Sequence, residues 1–398
     1  MARIHLSKPL LHQLRLPYLL IPPALLFVGA VLTLLFHGDV NATLLYSQCH
    51  ARSRLPGLSR VPVLGAPACF LVSFFSLAAA STRAVAQMSA VLAFVAALLT
   101  VSLVEAARPC NRPSRTVRSP ALAWLVTNLG AGALAWDVWI VPEYLRRAKR
   151  VVVERAKQDA LRAFGAVEAG EGGGTVGGLD PEERVRIERS FITSAEVYAI
   201  PVSVLVGFIV PSILMLFLSD AAGVVVVVAV WLFYPVWVAL IRWLVELAAV
   251  RFVLRDNGPL HLESSAPSVV LVYAVPFLCS LFAHGFLIFN VLFSRDDSRE
   301  MTRMALRYVA INFAYLAATV LYWVFVEAGP VPAVVLVASS LIFGPGAALC
   351  IAWSVREKVI CAGILDEGEE DGTMLGDEEE DDDDDDASTV HENTPLLS

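Results

Sequence analysis

The sequence predicts an all-α fold: a polytopic transmembrane helical bundle of eight or nine spans, with a hydrophilic helical insert and a disordered acidic tail. Three observations predict it. The 398 residues are 57% hydrophobic and only 17% charged, whereas soluble domains sit nearer a quarter charged. Mean hydropathy is +0.65. Apolar runs repeatedly reach the roughly 20 residues needed to cross a bilayer. The formal net charge of -8 comes mostly from the run "DEEEDDDDDD", so the body is near neutral or basic.

Four spans are expected in an N-terminal membrane bundle, residues 1–141, at about 16–36, 66–80, 84–105 and 119–141. The first is long enough to remain as an anchor rather than a cleaved signal. The second is the shortest, and without it the count falls from nine to eight. Residues 142–195 follow as a surface insert. "PEYLRRAKRVVVERAKQDALRAF" reads as a basic amphipathic helix suited to an anionic leaflet or to solvent. "GAVEAGEGGGTVGG" is a flexible linker, and "DPEERVRIERSF" opens a second helix with Asp180 as N-cap and Pro181 in its first turn. Residues 196–355 form the C-terminal bundle of five spans, near 196–218, 222–249, 267–294, 303–327 and 331–355, with Pro201, Pro211, Pro235 and Pro276 inside three of them. Residues 356–398 are the acidic tail, too polar to bury a core.

Orientation leaves a conflict. Arg3, Lys8 and Arg15 favour a cytosolic N-terminus, which puts the sequon Asn41-Ala42-Thr43 in the lumen, where glycosylation requires it. The tail ends "ENTPLLS", which fits an acidic dileucine sorting signal from Glu392 to Leu396 and Leu397. Such signals are read from the cytosol, yet nine spans would place the tail in the lumen. Eight spans with both termini cytosolic is the expected count, at the expense of the insert, since long loops cross regardless of charge.

Ionisable residues inside spans are functional candidates by default. Asp137, in "NLGAGALAWDVWIVPEYLRRAKR", is flanked by Trp136 and Val138, with Trp139 close by. Gly130, Gly132 and the alanines around them make this helix thin. Asp137 reads either as an acid in an apolar site or as a helix-end carboxylate paired with Arg146 or with an arginine of the 106–118 loop. Glu105 ends the third span before "AARPCNRPSR", as a salt-bridge partner or a second acid. Tyr308, Asn312, Tyr315, Thr319 and Tyr322 share one helix face, lining a cavity or bonding neighbouring helices. Tyr273, Phe277, Ser280 and His284 form a weaker stripe. Trp231 and Tyr234 fall in the sixth span, where Arg242 and Glu246 are expected to pair. "DDSRE", Asp296 to Glu300, could hold half of a Mg²⁺-diphosphate site, but the interleaved arginines favour a solvated turn. The six cysteines form no CxxC pair, though Cys49 and Cys110 could pair. With no P-loop, nucleotide fingerprint or His-metal cluster, no cofactor, metal or nucleic acid is expected.

A buried acid in an aromatic-lined bundle suits a proton-initiated reaction on a hydrophobic substrate, because a carboxylic acid in low dielectric keeps its proton and aromatic faces stabilise cations. The eight-span layout, the run "LLTVSLVEAARPCNRPSR" and the run "GALAWDVWIVPEYLRR" resemble the fungal multi-spanning membrane-bound terpene cyclases of the ascochlorin and ascofuranone type. The resemblance implies metal-free cyclisation of an epoxidised prenyl chain on an aromatic or similar head. It implies Asp137 and Glu105 as catalytic acids; the aromatic and polar faces read above make Trp136, Trp139, Tyr308, Asn312, Tyr315, Thr319, Tyr322 and His284 the candidate substrate-binding residues.

Two other classes remain open. A vacuolar or lysosomal transporter would explain the dileucine tail, with Asp137 and His284 coupling protons. A membrane scaffold would work through the insert and tail. The expected partners are the lipid bilayer, a hydrophobic prenylated small molecule and sorting adaptors at the tail. The expected location is the endoplasmic reticulum or a vacuolar or endosomal membrane.

Overall fold

The structure, a computed structural model, describes residues 10–38, 65–153, 191–218, 227–253 and 259–357, apart from isolated positions. Asn41, the glycine-rich linker, Asp180 and the acidic tail with Glu392, Leu396 and Leu397 lie outside the described residues.

The described chain is all-α but for one pair of short strands. Its elements are α1 Leu16–His37, α2 Gly65–Ala78, α3 Thr82–Ala107, α4 Ala121–Leu129 and α5 132–150. Then come β1 Phe191–Thr193, α6 Ser194–Phe217, α7 227–253, β2 Pro259–His261 and α8 Ala266–Phe293. Last are α9 Glu300–Ala328, α10 Pro330–Phe343 and α11 345–357. β1 and β2 pair antiparallel, Ile192 opposite Leu260. α1, α3, α6, α8 and α9 are long and apolar enough to cross a membrane, so the chain is a multi-pass membrane protein.

Named contacts fix the direction of each helix. α3 and α9 run parallel. At their N-terminal ends, here face A, the Asp297 carboxylate accepts from the backbone N–H of Thr82 at 2.9 Å and of Arg83 at 3.4 Å. Beside it, Ser81 Oγ meets Ser298 Oγ at 3.0 Å. At their C-terminal ends, face B, Arg356 bridges Glu105 and Glu327. α1 is antiparallel to α9, since Tyr322 donates to the Leu19 carbonyl at 2.8 Å while Tyr315 meets Thr33 at 2.8 Å. It therefore starts toward face B. α6 and α7 form an antiparallel pair, with Trp231 donating to Ser212 at 2.9 Å near one end and Arg242 donating to Glu196 at 2.8 and 2.5 Å at face B. Gly207 sits at their crossing, where a Cβ would lie 2.8 Å from Val238. α8 returns from face B to the 294–299 loop at face A.

Two apolar runs do not cross. The rings of Trp124 in α4 and Trp136 in α5 lie 5.4 Å apart, whereas twelve residues of straight helix span about 18 Å. Ser114, before α4, donates to Glu143 at 2.9 Å. The chain therefore enters from face B, turns at Gly130–Gly132 and leaves by face B. The α10–α11 pair does the same. Gly344, at φ +88°, reverses the chain against His284, where a Cβ would stand 2.7 Å from the His284 Cβ, and Glu357 returns to Arg108 at 2.6 Å. Only glycine holds that φ without strain. α2 likewise adds no net crossing, because α1 ends and α3 begins at face A.

These reversals bear on the span count. The expected crossings at 119–141 and 331–355 fold back at Gly130–Gly132 and at Gly344, because hydropathy measures apolar length and is blind to a glycine turn. Among the described residues five helices, α1, α3, α6, α8 and α9, have the length and hydropathy of a crossing. By the contacts above, the start of α1, the ends of α5 and α11 and the start of β1 lie toward face B. The expected Arg242–Glu246 pair is also corrected: Arg242 reaches across to Glu196. "DDSRE" is a structural turn, with Asp297 capping α3 and Asp296 accepting from the Ser298 N–H at 3.0 Å and pairing with Arg303 at 3.2 Å.

Cysteines introduced singly at Ser119 and Val153 should react with an impermeant maleimide from the same face of sealed vesicles, and one at Arg295 from the opposite face. Opposite labelling of 119 and 153 would restore 119–141 as a crossing. The Asp297 carboxyl is held below the usual range by the Thr82 N–H. A depressed folded-state pKa gives stability that is present above the ordinary aspartate range and lost as pH falls through the folded value. Asp297→Ala should therefore lower the thermal midpoint at neutral pH, and the gap from wild type should close in acid.

Candidate functional site

The site is built around α9, whose inward residues meet a different environment at each turn. Nearest face A, Tyr308 and Asn312 enter a cavity of about 470 Å³. The cavity is walled by Phe74, Phe75 and Leu92, by Trp231 and Tyr234 of α7, by Trp124, and by the glycine turn between α4 and α5. Its rings meet edge to face, Phe74 with Tyr308 at 5.6 Å and Phe75 with Trp231 at 4.8 Å, as aromatic quadrupoles prefer. The Asn312 amide nitrogen donates to the Tyr308 carbonyl at 3.1 Å, while its Oδ1 is buried without a hydrogen-bond partner.

One level toward face B, Thr319 donates to Asp137 Oδ1. Asp137 is 1% exposed, and its Oδ2 is buried with no hydrogen-bond partner. It stands on a π-helical turn, Trp136–Ile140, a local widening often found at functional sites. Asp137 does not line the cavity; Ala133, one turn earlier on α5, does.

The next level is aromatic. Trp136 packs with Trp124 and, at 6.4 Å, with Trp323, which meets Tyr144 at 4.6 Å and Trp353 at 4.7 Å. Beyond it lies a buried ion cluster at face B. Arg108 meets Glu105 at 3.1 Å and Glu357 at 2.6 Å. Arg356 meets Glu105 at 3.1 Å, Glu357 at 3.0 Å and Glu327, and lies 4.6 Å over the Trp353 ring. Asn111 donates to Glu105 Oε2 at 3.2 Å, and Trp323 to Glu327 at 2.7 Å. Burial works against the Arg108 charge, but Glu357 and Glu105 outweigh it and hold the guanidinium protonated.

Of the residues singled out in the sequence, the structure joins Asp137 to Thr319 and places Tyr308 and Asn312 in the cavity wall. Tyr315 and Tyr322 bond α1, so the stripe divides between cavity and helix packing. Trp136 lies in the aromatic layer, and Trp139 packs partly buried against the core. Glu105 is in the ion cluster. His284 contacts the Leu341 carbonyl at 3.3 Å, at the tip of the α10–α11 hairpin. Arg146 pairs with Glu143 at 3.8 Å rather than with Asp137. Trp124, Trp323, Glu327, Arg356 and Glu357 escaped the sequence reading. The charged ones carried a signal there, as ionisable residues at the ends of apolar runs.

A family model described as the CtvD domain matches residues 176–295. That segment holds α6, α7 and all of α8, and so supplies Trp231 and Tyr234; Asp137 and Thr319 lie outside it. No curated protein and no solved structure matches the chain.

Removing one partner from a buried ionic cluster leaves uncompensated charge and costs about 3–5 kcal/mol. Arg356→Met should destabilise the protein by an amount of that order in thermal or denaturant unfolding. Adding Glu105→Gln should recover part of the loss, the sign of direct coupling.

Proposed function

We propose that this protein is a membrane enzyme that opens an epoxide on a prenylated hydrophobic substrate by proton donation from Asp137 and cyclises the chain. The observation that carries the reading is the buried, unpartnered Oδ2 of Asp137, one helical turn from an aromatic chamber inside the membrane. The CtvD domain family is associated with fungal meroterpenoid and terpene cyclase gene clusters, which supports a biosynthetic role.

Chemically, the Oδ2 proton passes to the epoxide oxygen and the carbon–oxygen bond at the more substituted carbon breaks. The electron pair stays on oxygen as a hydroxyl, and the cation is attacked by the next alkene of the chain. Loss of a proton ends the sequence, so the product is an isomer of the substrate. Thr319 orients the carboxyl by donating to Oδ1, which leaves Oδ2 to carry the proton. Faces of Trp231, Tyr234 and Tyr308 stabilise the migrating cation. Glu105 is a positioning residue here, because Arg108 and Arg356 engage it.

Face B is assigned to the cytosol. Among described loop and helix-end residues it carries Arg15, Arg115, Arg118, Arg146, Lys149, Arg150 and Arg251, against Arg83, Arg295, Arg299 and Arg303 at face A.

Microsomes bearing the protein are to be incubated with an epoxyfarnesyl-substituted phenol. The wild type should form a cyclised product of unchanged mass. Asp137→Asn should abolish it without changing the melting temperature, and Thr319→Val should slow it about tenfold, the worth of one hydrogen bond to a charged or reacting group. Full activity in Asp137→Asn would remove the acid role.

A further inference from the structure

A second cavity, of about 410 Å³, opens at face B between α3, α6 and α7. Unlike the aromatic chamber, its wall is largely polar, with Arg118, Thr193, Glu196, Arg242 and Glu246. Trp124 lines both cavities. Its indole N–H is fixed by donation to Ser102 at 2.8 Å. The two spaces therefore adjoin at Trp124, the one at face B largely polar and the other aromatic.

We infer that this polar cavity is the seat of the substrate's head, and that it selects a neutral, hydroxyl-bearing group over an anionic one. The inference rests on the cyclase reading for the rest of the ligand. Arg242 is spent on its two-point bond with Glu196, so the pair presents no net positive charge. Glu246 adds a second carboxylate to the wall. Arg118, the remaining cation of the lining, is exposed. A phosphate or carboxylate would meet the Glu246 carboxylate at close range, whereas a hydroxyl group can donate to it. Thr193 Oγ1 is buried with no hydrogen-bond partner and stands at the strand end fixed opposite Pro259. It offers a hydroxyl ligand the neutral partner it otherwise lacks. A head held there directs an attached chain past Trp124 into the chamber below Asp137.

Three unreactive probes of one chain length test this in nanodiscs: dodecylresorcinol, dodecylbenzene and dodecyl phosphate. None can be turned over, so the result is independent of whether Asp137 is an acid. Binding is read by quenching of tryptophan fluorescence. Dodecylresorcinol should bind the wild type about tenfold more tightly than dodecylbenzene, one charge-assisted hydrogen bond's worth, with dodecyl phosphate no tighter than dodecylbenzene. Glu246→Gln and Thr193→Val should each shrink the resorcinol advantage and leave dodecylbenzene unchanged. Equal affinity for resorcinol and benzene, or tightest binding of the phosphate, would overturn the inference, and the wild-type comparison alone suffices if a variant misfolds.

Discussion

Arg356 holds the end of the molecule at which the site is assembled. Its guanidinium joins Glu105 at the end of α3, Glu327 at the end of α9 and Glu357 beside it on α11. A charge buried in a membrane bundle is tolerated only where opposite charges and hydrogen bonds surround it. Three carboxylates on three helices therefore converge on one face. Through them α11 is tied back to the face from which α10 entered, and the aromatic layer of Trp323, Trp353 and Tyr144 is closed against the cluster. Asp137 lies beneath that lid, shut off from face B by rings rather than by charges.

Much of this was legible in the sequence. Composition and run length gave the all-α membrane class. The 4-3-4-3 spacing from Tyr308 to Tyr322 predicted one inward face on α9, and α9 has it. An isolated aspartate among apolar residues marked Asp137. The sequence could not show that one face meets several environments along its length: Tyr308 and Asn312 reach a cavity, Tyr315 and Tyr322 reach α1, and Thr319 reaches Asp137. That division depends on which helices lie alongside, which periodicity does not encode.

The 119–141 run shows a related limit. "LAWLVTNLGAGALAWDVWIV" has the length and hydropathy of a crossing, and the thinness of its glycine stretch suggested close packing with neighbours. The glycines instead reverse the chain. Trp124 and Trp136, twelve residues apart, became neighbours, and the third dimension of the site came from that fold-back. Arg242 shows the same limit at smaller scale, since an i,i+4 partner was available in Glu246 and the guanidinium took the buried Glu196 on another helix.

The re-entrant arms also order the assembly of the protein. α4, of nine residues, and α10, of fourteen, are each shorter than the hydrocarbon thickness they enter. Their turns expose backbone groups that lipid cannot satisfy. Neither hairpin is stable in the bilayer by itself; each needs neighbouring helices as its solvent. The five long apolar helices can insert one by one during synthesis, but α4–α5 can settle only after α9 is in place, since the Asp137–Thr319 contact joins positions 182 residues apart. Asp137 therefore meets Thr319 at the close of folding, and the acid is confined in its apolar surroundings only once the bundle around it is complete.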